Sequence, residues 1–96
     1  MIKYMIHAKK WFDKVNGNTY HAVRILNTKN HELISSNFCY GYGEQFMQTA
    51  REIMSKNGWI KKDERRFTVE DLNQIHIVVE DDCKKKEVLS WGNNIN

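Results

Sequence analysis

Residues 37–59 read NFCYGYGEQFMQTAREIMSKNGW: an extended segment, a glycine-punctuated turn and a helix. Phe46, Ala50, Ile53 and Met54 recur at i, i+4, i+7 and i+8, one face of a 3.6-residue period, with Gln45, Gln48, Glu52, Ser55 and Lys56 on the other side. Glu44 falls in the first turn, where a negative charge suits the positive end of the helix dipole. Gly58 is placed to take the left-handed C′ position, which puts Trp59 at C″ against Met54 at C3, as in a Schellman cap. Burying Phe46, Ile53 and Met54 is worth roughly 1.5–3 kcal/mol each. That face therefore requires a sheet beneath it, and this requirement sets the fold class as α+β.

The sheet is read upstream. Between Ile2 and Phe12, apolar residues alternate: Ile2, Tyr4, Ile6, Ala8 and Phe12 share one face, interrupted by Lys10, and Lys3, Met5, His7, Lys9 and Trp11 share the other. Asn16-Gly17 signals a type I′ hairpin turn, and Thr19 to Leu26 is the returning strand. A two-residue loop sets Phe12 opposite His21, Lys10 opposite Val23 and Ala8 opposite Ile25. On the other face, Lys9 then lies opposite Arg24 and Trp11 opposite Ala22. The segment Asp13 to Asn18 also has room for a bulged loop. After the polar Asn27 to Glu32, Leu33 to Tyr42 reads as a third strand. The three strands make an antiparallel β-meander that leads directly into the main helix.

Downstream, Lys61 to Arg66 is a charged loop. Thr68 and Asp71 resemble a capping box, so a short helical turn is expected over Val69 to Asn73. Ile75 to Glu80, IHIVVE, is a strand by composition. Asp81 to Trp91 is open between a helix with Val88 and Trp91 inside and a turn, DDCKKK, followed by a strand, EVLSW. The hairpin is preferred because β-formers flank a polar turn. The whole reads as one domain over residues 1–96: a three-stranded meander, one main helix packed on it, and a C-terminal strand or hairpin, with 92–96 fraying.

Ninety-six residues suit a single domain that buries somewhat more than about 60% of its unfolded surface. No run approaches the roughly 18 apolar residues of a membrane span, and MIKYMIHAKKWF lacks the apolar core of a signal peptide. A cytoplasmic protein without membrane contact is the expectation. The formal charge of +3 permits an acidic partner without requiring one.

Catalytic and metal chemistry find little support. Cys39 and Cys83 form no CxxC pair and read as reduced thiols. His7, His21, His31 and His76 are scattered, and His21 reads as a structural histidine at the core edge. Glu70, Asp71, Glu80, Asp81 and Asp82 lack metal-loop spacing. Tyr40 to Gly43, YGYG, precedes a helix as phosphate loops do, but no Walker lysine follows and Glu44 would repel an anion. Gly41 then serves a bulge or close approach, and Gly43 the tight entry into the helix. The expectation is a non-enzyme with no cofactor and no metal.

The candidate binding residues are Lys9, Trp11 and Arg24 on the outer hairpin face, with Tyr40 and Tyr42 as a second aromatic group and Lys84, Lys85 and Lys86 extending the positive charge. A basic face with an aromatic can anchor a protein or stack a base and hold phosphate. Basic residues on a solvent face are also ordinary.

Two segments carry a resemblance. KKWFDKVNGNTYHAVRI and FCYGYGEQFMQTAREIMSKNGW are similar to a group of short phage and mobile-element proteins of unassigned function. The matching positions are Lys9, Trp11, Phe12, Asp13, Gly17, Asn18, Thr19, Tyr20, His21, Val23 and Arg24, then Tyr40 to Gly43 and Gln48 to Ala50, within Lys9 to Trp59. The resemblance implies a small accessory protein acting in a host cell and transfers no catalytic residue. It implies a host protein, or a protein–nucleic acid complex, as the partner, with inhibition of a bacterial defence system such as a CRISPR nuclease as one such role. The alternative is a small RNA- or DNA-binding protein using the basic and aromatic hairpin face.

Overall fold

The computed structural model describes residues 2–60 and 67–93, so the loop read over Lys61 to Arg66 and positions 94–96 of the expected tail lie outside the described residues. The elements are β1 (Tyr4–Asp13), β2 (Asn18–Asn27), β3 (Leu33–Ser35), β4 (Cys39–Tyr40), α1 (Gln45–Lys56), α2 (Val69–Asn73), β5 (Ile75–Glu80) and α3 (Lys85–Asn93). The fold is α+β, a mixed five-stranded sheet ordered β3-β2-β1-β5 with β4 also paired to β2. β1, β2 and β3 form the antiparallel meander, and β5 adds to β1 in parallel. Among the described residues, no helix is long and apolar enough to cross a membrane.

The meander's register differs from the expected one by two residues. Phe12 pairs with Thr19, Lys10 with His21, Ala8 with Val23, Lys9 with Ala22, Trp11 with Tyr20 and His7 with Arg24. The cause is Asp13. Its Oδ1 accepts from Val15 N at 3.0 Å and from Asn16 N at 3.3 Å, its Oδ2 accepts from Asn16 Nδ2 at 2.8 Å, and its carbonyl accepts from Gly17 N at 2.8 Å. An Asx turn therefore closes a four-residue loop, Lys14 to Gly17. Gly17 takes φ +68° and Asn16 does not enter the left-handed region, so the type I′ turn is absent. A two-residue shift preserves parity, so each strand residue keeps its expected face.

One face packs under α1. Ile6, Ala8, Val23, Ile25 and Ile75 meet Phe46, Ala50 and Met54 in the core, with Ile53 and Trp59 partly buried against it. Glu44 is the N-cap and not a first-turn residue. At the other end, Gly58 has φ +75°, Trp59 N donates to Met54 O at 2.8 Å and Gly58 N to Ser55 O at 3.0 Å, the two bonds of the Schellman motif. Lys10, which breaks the apolar stripe, lies at the rim of this face. Its ammonium sits 4.9 Å from the Phe46 ring centre and donates to Gly43 O at the helix entry. A Cβ on Gly41 would come within 2.9 Å of both Gln45 Cβ and His21 Cε1, so this glycine serves a close approach.

Three further outcomes concern the other segments. Both bonds of the Thr68–Asp71 capping box form at 3.0 Å, and α2 and β5 occupy the expected residues. The third strand is not continuous: buried Ser36 leaves the ladder, its Oγ accepting from Val23 N at 2.9 Å and its N donating to Val23 O at 2.8 Å, which separates β3 from β4. The hairpin preferred over Asp81 to Trp91 does not form. A turn through Asp82 (φ +58°) leads into α3, which lies across the second face of the sheet. Val88 and Gly92 are buried there against a sheet face that includes buried Ala22, so Gly92 is a packing residue and not the start of a tail. A further strand beside β5 would have left that face in water, whereas a helix buries it.

Candidate macromolecule-binding face

The face that carries Lys9, Trp11 and Arg24 is divided by α3. One part is covered. The Trp91 indole lies over it, with the Arg24 guanidinium 4.0 Å and the Lys9 ammonium 4.5 Å from its ring centre, and His7 meets it edge-on at 4.7 Å. Arg24 Nε donates to Trp91 O at 2.9 Å, and Trp91 Nε1 donates to His7 O at 2.9 Å. Glu80 completes the group, accepting from His7 Nε2 at 2.6 Å and lying 3.6 Å from Lys9 Nζ. The hydrogen bond from His7, helped by the Lys9 charge, holds the Glu80 carboxyl below its ordinary pKa. Lys9 and Arg24 thus share a face as expected, but they do not pair across strands, and the C-terminal helix occupies both.

The uncovered part lies beside α3, at the hairpin end of the sheet. Trp11 and Tyr20 are a cross-strand pair, as are Tyr20 and Tyr40. Tyr20 stacks on Trp11 with centroids 5.5 Å apart and on Phe38 at 4.9 Å, and Tyr40 meets Tyr20 edge-on at 5.7 Å. Such offset and edge-on pairs are the favoured aromatic geometries. α3 starts beside this ridge, with Lys85 Nζ 5.5 Å from the Trp11 ring centre. A cleft of ≈ 370 Å³ between Trp11, Phe12, Lys14, Asp82, Cys83, Lys84 and Lys85 borders the rings, its three lysines outnumbering one carboxylate. Tyr40 is 62% and Tyr42 67% exposed, and Phe12 and Val15 are exposed at the same end of the hairpin.

Of the residues singled out in the sequence, Trp11 and Tyr40 meet in one cluster through Tyr20. Lys9 and Arg24 are drawn together under Trp91. Tyr42 stands exposed at the entry to α1. Sequence reasoning missed Tyr20 and Phe38 as members of the site. Tyr20 was within reach, since the Asp13-x-x-Asn16-Gly17 spacing of an Asx-closed loop sets it opposite Trp11. Phe38 shares the alternation of Tyr40 and Tyr42 in the third-strand reading, but it sits where that strand is broken, and the sequence does not show which neighbour it stacks on.

The other reactive side chains have local roles. His21 is buried, its Nδ1 donating to Gly41 O at 3.2 Å and its Nε2 accepting from Thr49 Oγ1 at 2.7 Å, and burial lowers its pKa. Burial raises both the Cys39 and the Cys83 thiol, which disfavours the reactive thiolate. Among the described residues, no three His, Cys, Asp or Glu side chains gather to hold a metal ion. The chain matches no protein-family model, no curated protein and no solved structure.

Proposed function

We propose that this chain is a non-enzymatic accessory protein of the phage and mobile-element kind that docks on a host protein through the ridge Trp11–Tyr20–Phe38–Tyr40. The observation that carries the reading is the exposure of Tyr40 at the end of a four-ring cluster, with Tyr42 close in the chain. Tyrosine and tryptophan dominate the residues that anchor protein interfaces, because they bury much area at low entropic cost. The lysines beside the cleft suit a partner whose apolar pocket has an acidic rim. A defence effector of the host is a partner of the kind the sequence resemblance implies.

Nucleic acid is the second reading, favoured by Lys14, Lys84 and Lys85 beside an aromatic ring. Against it, Tyr20 already stacks on Trp11 and on Phe38, and Lys85 lies over Trp11, so a base would find a free ring face mainly on Tyr40, whereas a protein pocket can take the exposed end and edges of the ridge.

Affinity capture from a bacterial lysate, with and without nuclease and across a salt series, separates the two. The expected result is a protein partner that survives nuclease and moderate salt and is lost with Tyr40→Ala/Tyr42→Ala. Loss on nuclease treatment, or a steep fall with salt, would transfer the function to nucleic acid. Undiminished capture by the double variant would reject the ridge as the site.

A further inference from the structure

The two borders of the sheet are built differently. At one, β3 and β4 are three and two residues long and separated by a break, which blunts the edge against strand addition. At the other, β5 runs six residues, IHIVVE, in unbroken parallel register with β1 from Tyr4↔Ile75 to Lys9↔Glu80. It contains no proline, lysine or bulge, the usual guards of an edge. Ile77 is 36% and Val78 37% exposed, and among the described residues no strand pairs with its outer side.

The strand is also complementary to itself. A two-fold axis normal to the sheet pairs identical strands antiparallel and keeps each side chain on its own face, so the pairing must centre on a residue. Centred on Val78, it sets Val78 against Val78, Ile77 against Val79 of the second copy, and His76 against Glu80 of the second copy. β-Branched side chains then meet on both faces, Ile77 with Val79 on the α1 side and Val78 with Val78 on the α3 side. The His76 imidazole faces Glu80, whose Oε2 is held by His7 and Lys9 and whose Oε1 is left for the second copy. Centred on Ile77, it would set His76 against Val78 and Gln74 against Glu80, losing the imidazole–carboxylate pair.

We propose that two copies of this chain join through the outer edges of β5, antiparallel about Val78, into one continuous sheet. A second copy is the occupant because IHIVVE itself supplies both halves of each pair. The dimer leaves the aromatic ridge open on both copies, because β5 pairs only with Tyr4 to Lys9 of β1 and the ridge lies beyond, at the hairpin end.

Val78→Cys tests the register directly. Residues facing one another across an antiparallel pair have Cα atoms about 4.5–5.5 Å apart, within reach of a disulfide. Mild oxidation should give a covalent dimer of Val78→Cys, and far less from Ile77→Cys or from the unsubstituted chain, whose Cys39 and Cys83 set the background. Cross-linking through Ile77→Cys in place of Val78→Cys would overturn the register, and cross-linking through neither would overturn the interface. Sedimentation supplies the second arm. His76→Glu puts like charges at two symmetry-related contacts and should weaken self-association roughly tenfold, whereas His76→Lys should preserve it. His76 is exposed, so circular dichroism should show both variants folded. A chain that sediments as a monomer at every concentration, or a dimer indifferent to His76→Glu, refutes the proposal.

Discussion

Arg24 holds Trp91 twice, donating from Nε to its backbone carbonyl at 2.9 Å and placing its guanidinium 4.0 Å from the ring centre. With Lys9 at 4.5 Å from the same ring, the indole joins two cations that would otherwise face one another under a helix. Trp91→Ala should therefore cost roughly 3 kcal/mol of stability, read as a lower urea midpoint. Lys9→Glu/Arg24→Glu should also destabilise, because it removes both cation–π contacts and sets a second carboxylate beside that of Glu80. Midpoints unchanged from the parent would mean that α3 is not held by this contact.

Gly92 of α3 packs tightly against Ser36 and Ala22. A Cβ there would lie 2.7 Å from Ser36 O and 3.2 Å from Ala22 Cβ, both fixed parts of the fold. Gly92→Ala, which raises helix propensity, should nonetheless destabilise by about 1–3 kcal/mol through overpacking. A higher melting temperature in thermal denaturation would show that α3 stands off from Ser36.

Gly17 has open space around it, so its replacement isolates a backbone effect. At φ +68°, Gly17→Val should cost more than about 1 kcal/mol and Gly17→Asn much less, since asparagine tolerates the left-handed region. Equal midpoints for the two variants in urea would show that the residue is not held at positive φ.

The buried His21 couples stability to pH. Burial lowers its folded pKa below the ordinary value near 6.5, so between those two values the unfolded chain binds the extra proton. Its contribution is full above about pH 6.5 and is lost as pH falls through the folded pKa. Glu80 and Asp13, lowered by hydrogen bonds from His7 and Asn16, contribute above about pH 4 and lose their share below it. Urea midpoints should decline from pH 7 to 5 in the parent, and His21→Gln should flatten that decline. A slope unchanged by His21→Gln would place the titrating group elsewhere.

What the sequence by itself determined are the features closed within a few residues. The Schellman cap at Gly58, the capping box of Thr68 and Asp71, the buried stripe of α1 and the facial parity of β1 and β2 all rest on bonds or periods that a short window contains. Even the register error kept the faces, because the Asx turn at Asp13 changed the loop by an even number of residues. Tertiary structure decided the rest. EVLSW satisfies strand and helix alike, and what settles it is an uncovered sheet face that a helix carrying Val88, Trp91 and Gly92 buries. The same docking turned Lys9 and Arg24 from surface cations into the bed of an indole and left the half-buried Trp11, Tyr20 and Phe38 stacked beside it with Tyr40 exposed at the end. That division depends on contacts between Lys9 or Arg24 and Trp91, more than sixty residues apart, and no local propensity encodes it.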